Sequence, residues 1–124
     1  MLKTSRDTVD RLISEKDFLS TVIEFAQAHG WKVAHFRPGM TGRRVGRDGK
    51  PVWVTPVQGD GKGFPDLVLV RKQVLLFVEL KSQKGRVSKE QLAWLDALGS
   101  TCVRAYCWRP SYWEKIERIL GSTS

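Results

Sequence analysis

The chemistry of this chain is concentrated in two apolar runs near its middle. Asp66 opens the first, Asp66-Leu67-Val68-Leu69-Val70, and Glu79 and Lys81 close the second, Val74-Leu75-Leu76-Phe77-Val78-Glu79-Leu80-Lys81. Side chains of a strand alternate between faces, so Leu75, Phe77, Glu79 and Lys81 share one face and Val74, Leu76, Val78 and Leu80 the other. A carboxylate between Val78 and Leu80 is costly to bury without a partner. Lys81 is one candidate partner and a metal ion is another. Asp66 decides between them if it lies alongside. With Arg71-Lys72-Gln73 joining the runs as a hairpin, a two- or four-residue turn around residues 71–74 pairs Asp66 with Glu79. Their Cβ atoms would then lie about 4.5–5.5 Å apart. A three-residue turn pairs Asp66 with Val78 and breaks the site. Two carboxylates so close repel unless a cation neutralises them. Hard oxygen ligands with no His or Cys nearby suit Mg²⁺ or Mn²⁺ better than zinc. Such an ion polarises a phosphodiester oxygen and lowers the pKa of a bound water. Lys81 would hold that water or stabilise developing charge. The plain alternative is a surface Glu79–Lys81 pair with Asp66 merely starting a strand.

The charge balance points to the same kind of substrate. Lys and Arg number 21 against 13 Asp and Glu, a net charge of +8, with a pI near 9.9. Neutralising phosphates with Lys or Arg releases counterions, so a polyanion is the natural partner. The basic residues cluster: Arg37, Arg43, Arg44, Arg47 and Lys50 in one Gly-rich stretch, Lys81, Lys84, Arg86 and Lys89 in another. Arg37, Arg43, Arg44, Arg47, Lys62, Lys84 and Arg86 are the residues expected to meet nucleic acid. Nucleic acid is favoured over a membrane surface because no long basic amphipathic helix is visible. No apolar run approaches the ~20 residues of a bilayer span, and the start lacks a signal-peptide core, so an intracellular location is expected. The 124 residues suit one domain, residues 1–124. Cys102 and Cys107, five residues apart on one expected strand, fall on opposite faces and read as two buried reduced thiols.

Several elements must position these residues. Ser14 is an N-cap with Asp17 three residues on, followed by Phe18, Leu19, Val22, Ile23 and Ala26 at helical spacing and Gly30 as a left-handed cap. A strand is expected from about Trp31 to Arg37. Residues 38–63 hold seven of the eleven glycines and read as a long basic loop, with only Val52-Trp53-Val54 able to form a strand. Such a loop is usually functional or disordered, and its arginines suggest an arm that orders on nucleic acid. Trp53 within it is a candidate for base stacking. The two central strands follow, then a helix over Ser88–Leu98 with Leu92, Leu95 and Leu98 on one side. Cys102–Trp108 is a strand. Ser111 and Glu114 form a capping box for a last helix, Ser111–Leu120. The order is α-β-β-β-α-β-α.

Gly63-Phe64-Pro65-Asp66, a twelve-residue spacer and Glu79-Leu80-Lys81 resemble the PD-(D/E)XK nuclease signature. Gly30-Trp31 with His35, Gly59-Asp60-Gly61, and Ser88-Lys89-Glu90-Gln91 leading to Trp94-Leu95 look most like its virus-type replication-repair branch, VRR-NUC. The resemblance spans roughly Ser14 to Leu120. It implies a restriction-endonuclease-like α/β fold: an α-β-β-β-α-β core whose mixed central sheet is flanked by helices. It also implies a metal-dependent DNA endonuclease, structure-specific for branched, junction or flap DNA in replication, repair or recombination. Asp66, Glu79 and the Leu80 backbone carbonyl would hold Mg²⁺ or Mn²⁺, with Lys81 the catalytic lysine. A glutamate of the first helix commonly completes such sites. Glu15 is preferred over Glu24, since a helix start reaches the sheet end. Gln91 would approach the lysine and the water, although Ser88 and Gln91 equally fit an S-x-x-Q capping box. His35 reads first as a structural hydrogen-bonder. A homodimer presenting two sites would suit paired incisions, in the host cell if the source is viral. The competing readings are a catalytically silent junction-binding module and a sequence-specific restriction-type nuclease.

Overall fold

The computed structural model describes residues 8–36, 39–45, 49, 51–54 and 59–122, with the backbone alone over 39–45 and 51–54. The elements run α1 (Glu15–Ala28), β1 (Lys32–His35), β2 (Gly39–Val45), β3 (Pro51–Val54), β4 (Leu67–Arg71), β5 (Val74–Leu80), α2 (Lys89–Gly99), β6 (Arg104–Trp108), a 3₁₀ turn (Pro110–Tyr112) and α3 (Trp113–Gly121). A helical turn over residues 8–12 precedes α1.

The first helix forms as its end signals dictate. Ser14 Oγ accepts the Asp17 N–H at 3.0 Å. At the other end Gly30 adopts φ +86°, which lets the Gly30 N–H reach the Gln27 carbonyl and the Trp31 N–H the Ala26 carbonyl, a Schellman ending. Phe18, Val22 and Ala26 recur every four residues and are buried. Each large apolar side chain so enclosed contributes about 1.5–3 kcal/mol.

These residues cover one face of a four-stranded sheet of order β1-β4-β5-β6. Strands β1, β4 and β5 pair antiparallel, and β6 returns parallel to β5 by way of α2. Leu67, Leu69, Leu76, Val78, Leu80 and Trp108 form the sheet's share of the core, meeting α1 together with Ile116 and Leu120 of α3. The opposite face carries Phe77, which meets Phe64, and Phe64 stands edge-on to Trp94 of α2. Arg71 ties the ends of α1 and α3 together. Its guanidinium donates to the carbonyls of His29, Leu120 and Ser122 and lies 4.5 Å over the Trp31 ring.

The β4–β5 turn sets the register. Lys72 (φ +47°) and Gln73 (φ +70°) make a two-residue turn of the primed kind, whose twist matches the flanking strands. Arg71 pairs with Val74 and Leu67 with Val78, so one step further along Asp66 faces Glu79.

Four expectations are corrected. The stretch 38–63 is not a long loop with one strand: β2 and β3 form an antiparallel hairpin, a separate two-stranded sheet with an irregular register between Met40 and Val45. Cys102 lies before β6 and is exposed, so only Cys107 is on that strand, half-buried. The last helix is not capped by Ser111; Pro110 starts a 3₁₀ turn, α3 begins at Trp113 with no side-chain cap, and the Ser111 N–H binds Gln83 Oε1 instead. Leu92 does not face inward but is 51% exposed.

Candidate active site

The hairpin register delivers both carboxylates to one sheet face. Asp66, half-buried at the mouth of β4, is fixed from two sides. Its carbonyl accepts the Phe36 N–H at 2.8 Å, and its Oδ2 accepts the Leu80 N–H at 2.8 Å. Glu79 beside it is only 2% exposed. Its Oε1 accepts Gln91 Nε2 at 3.1 Å, while its enclosed Oε2 has no hydrogen-bond partner among the described residues.

The electrostatics follow from that enclosure. Burial, first, and then the Asp66 carboxyl, as proton-sharing partner and as like charge, push the Glu79 pKa up to about 9; Lys81 pulls it down and Glu15 adds a smaller upward push. A proton shared with Asp66 or a cation between the two are the ways to satisfy such a group.

Gln91 reaches Glu79 because of how its helix starts. Ser88 Oγ accepts the Gln91 N–H at 3.1 Å, and Gln91 Oε1 accepts the Ser88 N–H at 2.8 Å. With its oxygen committed to the cap, the amide presents its NH₂ to Glu79. The capping box and the approach to the site therefore hold together. Lys81 follows Glu79 on the same face, half-buried, its N–H bound to the Trp108 carbonyl at 3.0 Å. Glu15, the exposed first residue of α1, is felt at Glu79; Glu24 is not among the charges acting most strongly there. His35 sits on β1 opposite Leu67, half-buried.

The expected nucleic-acid residues divide. Lys84 and Arg86 are exposed on the segment after β5. Lys62 pairs with Glu90 at 3.3 Å. Arg43 and Arg44 lie on β2, their side chains outside the described residues, as is that of Trp53; Arg37 and Arg47 lie outside them altogether. Among the described residues no group of three or more His, Cys, Asp or Glu forms a ready-made metal site: Asp66 and Glu79 are a pair.

Sequence reasoning missed two neighbours. Cys107 stands beside Glu79 in the parallel β5–β6 register, and burial pushes its thiol pKa up. Arg109 donates to the Ser82 carbonyl at 2.7 Å and the Gln83 carbonyl at 3.2 Å, pinning the segment that carries Lys84. Only the β5–β6 pairing reveals them, and no local signal encodes it.

Compared with known families, the chain matches the VRR-NUC domain over residues 44–109. It belongs to the VRR-NUC family. No curated protein and no solved structure matches it. The mixed four-stranded sheet with flanking helices is this family's restriction-endonuclease-like fold. As a VRR-NUC domain the chain is a nuclease domain, a hydrolase acting on DNA. The match covers less than the Ser14–Leu120 span suggested by the motifs, but it contains β4, β5, α2 and β6, and so Asp66, Glu79, Lys81 and Gln91. Among the described residues no helix is long and apolar enough to cross a membrane.

Proposed function

We propose that this VRR-NUC chain is a divalent-metal-dependent DNA endonuclease centred on Asp66, Glu79 and Lys81. The observation that carries the reading is the Glu79 carboxylate, buried against a second carboxylate with Oε2 unpartnered among the described residues. A hard dication fits that donor set, since it would neutralise both charges and satisfy the enclosed oxygen. Asp66 and Glu79 would hold it, with the Leu80 carbonyl as third donor. Bound there, Mg²⁺ or Mn²⁺ supplies a polarised phosphate oxygen and a water of lowered pKa.

The chain's own residues prepare the rest. The Leu80 N–H fixes one oxygen of Asp66 and Gln91 fixes one of Glu79, so the remaining oxygens would take up a cation at little entropic cost. Lys81 Nζ would donate to the scissile phosphate or hold the attacking water. Glu15, at the exposed start of α1, serves the rim of the site. Lys84 and Arg86 would meet the phosphate backbone beside it, with Arg37, Arg43, Arg44 and Arg47 extending that contact.

The finer reading is structure-specific cleavage of branched DNA by a homodimer, each chain one domain over residues 1–124 acting inside the cell. Two symmetric sites suit paired incisions. A supercoiled plasmid, a four-way junction and a linear duplex test it. Cutting with Mg²⁺ or Mn²⁺ and none in EDTA is expected, with the junction preferred. Wild-type cutting by Asp66→Ala or Lys81→Ala overturns the active-site assignment.

A further inference from the structure

The second helix bears a site residue without being anchored in the core. None of its residues is fully buried, unlike α1 with Phe18, Val22 and Ala26. Yet Gln91 in its first turn must stay within hydrogen-bond reach of Glu79. Besides packing across β6, α2 is held by the segment just before Asp66. Trp94 Nε1 donates to the Asp60 carbonyl at 3.0 Å. Phe64 stands edge-on to Trp94 with ring centroids 5.1 Å apart, and to Phe77 of β5 at 6.0 Å. Lys62 reaches Glu90 at 3.3 Å with its side chain 84% exposed, a contact of little strength. Trp94 lies three residues beyond Gln91, on the adjoining turn and about 4.5 Å along the axis.

The groove beside this contact, lined by Asp60, Lys62, Glu90 and Trp94, places two carboxylates against one ammonium. Phosphate is disfavoured there, so base stacking does not account for Trp94. We propose that Trp94 is a positioning residue: its indole N–H, clasped to the Asp60 carbonyl, sets α2 on the sheet and so sets Gln91 on Glu79. The inference deepens the nuclease reading and rests on it for its kinetic consequence. Its structural consequence is independent of that reading.

Trp94→Phe keeps the ring against Phe64 and removes the donor. In ¹⁵N-labelled protein free of metal and DNA, the Gln91 side-chain amide is assigned by its loss in Gln91→Leu. Its hydrogens should exchange with solvent about fivefold faster in Trp94→Phe, the weight of one neutral hydrogen bond. In cleavage assays kcat should fall about fivefold with KM for DNA unchanged. Trp113→Phe, altering a Trp that packs on Phe25, is the control and should leave Gln91 exchange as in wild type. If Trp94→Phe does not fold, Trp94→Leu, which likewise lacks the indole N–H, carries the same expectation. Gln91 exchange within twofold of wild type, or equal acceleration in Trp113→Phe, overturns the proposal. A wild-type chain that cuts no DNA defeats the nuclease reading and leaves the exchange test standing.

Discussion

Gly63→Ala should damage the protein more than any other exchange of a described positive-φ glycine for alanine. Gly63 has φ +86°, and a Cβ built there would lie 2.5 Å from the Glu90 carbonyl carbon and 2.7 Å from the Gln91 nitrogen. The left-handed backbone costs an L-residue about 1–2 kcal/mol. Overpacking against backbone adds about 1–3 kcal/mol, because neither partner can swing away. The sum is about 2–5 kcal/mol, and at about 4 °C per kcal/mol for a domain of this size the melting point drops by about 8–20 °C. Gly59→Ala is the matched control: φ is +70° but no described residue meets the added Cβ within 4 Å, so only the backbone penalty applies, about 4–8 °C. Relief of the clash pushes the first turn of α2 outward, which draws Gln91 off Glu79 and should lower DNA cleavage at temperatures where the variant is folded. Calorimetry of the three proteins decides it. Equal melting points for Gly63→Ala and Gly59→Ala would refute the close approach of Gly63 to α2.

Other outcomes follow from the same geometry. Without metal, folded protein keeps a proton on Glu79 up to a pKa of about 9 that the unfolded chain has lost above a glutamate's ordinary value of 4.5. Stability is therefore full below about 4.5 and falls as pH rises toward 9, by up to about 1.4 kcal/mol per unit. Urea unfolding in EDTA should show wild type losing as much as about 3 kcal/mol between pH 5.5 and 8 relative to Glu79→Gln; parallel pH profiles for the two would count against a buried, protonated Glu79. Arg71→Lys should cost about 1–3 kcal/mol, since an ammonium cannot serve the carbonyls of His29, Leu120 and Ser122 together while lying over Trp31. DNA cleavage by the folded variant should be unchanged, and a cleavage defect without destabilisation would contradict a purely structural role. Lys81→Ala should fold and lose about 10²–10³ in kcat, the usual weight of one preorganised charge-stabilising donor, as read in single-turnover cleavage.

The amphipathic spacing of Phe18, Val22 and Ala26, the end signals at Ser14, Gly30 and Ser88, and the alternation in β5 were all readable, because each is local. The carboxylate pairing was readable only as a choice of registers. What decides it is positive φ at both Lys72 and Gln73, a turn adopted here without the Asn or Gly that normally announces it. The β2–β3 hairpin was missed because glycines at 39, 42, 46 and 49 erase the period-two pattern. Ser111 looked like a cap, but Pro110 suits the start of a 3₁₀ turn and Gln83 takes the Ser111 N–H. Cys107 and Arg109 join the site's surroundings through a parallel pairing between distant segments, and sequence periodicity carries no record of that.

Anomalous diffraction from crystals soaked in Mn²⁺ tests the central claim most directly. A single manganese peak between Asp66 and Glu79, absent from Asp66→Asn crystals and accompanied by loss of cleavage in that variant, is the predicted result. A protein that cleaves DNA in Mn²⁺ while its crystals show no manganese there, or show it only elsewhere, would contradict the account.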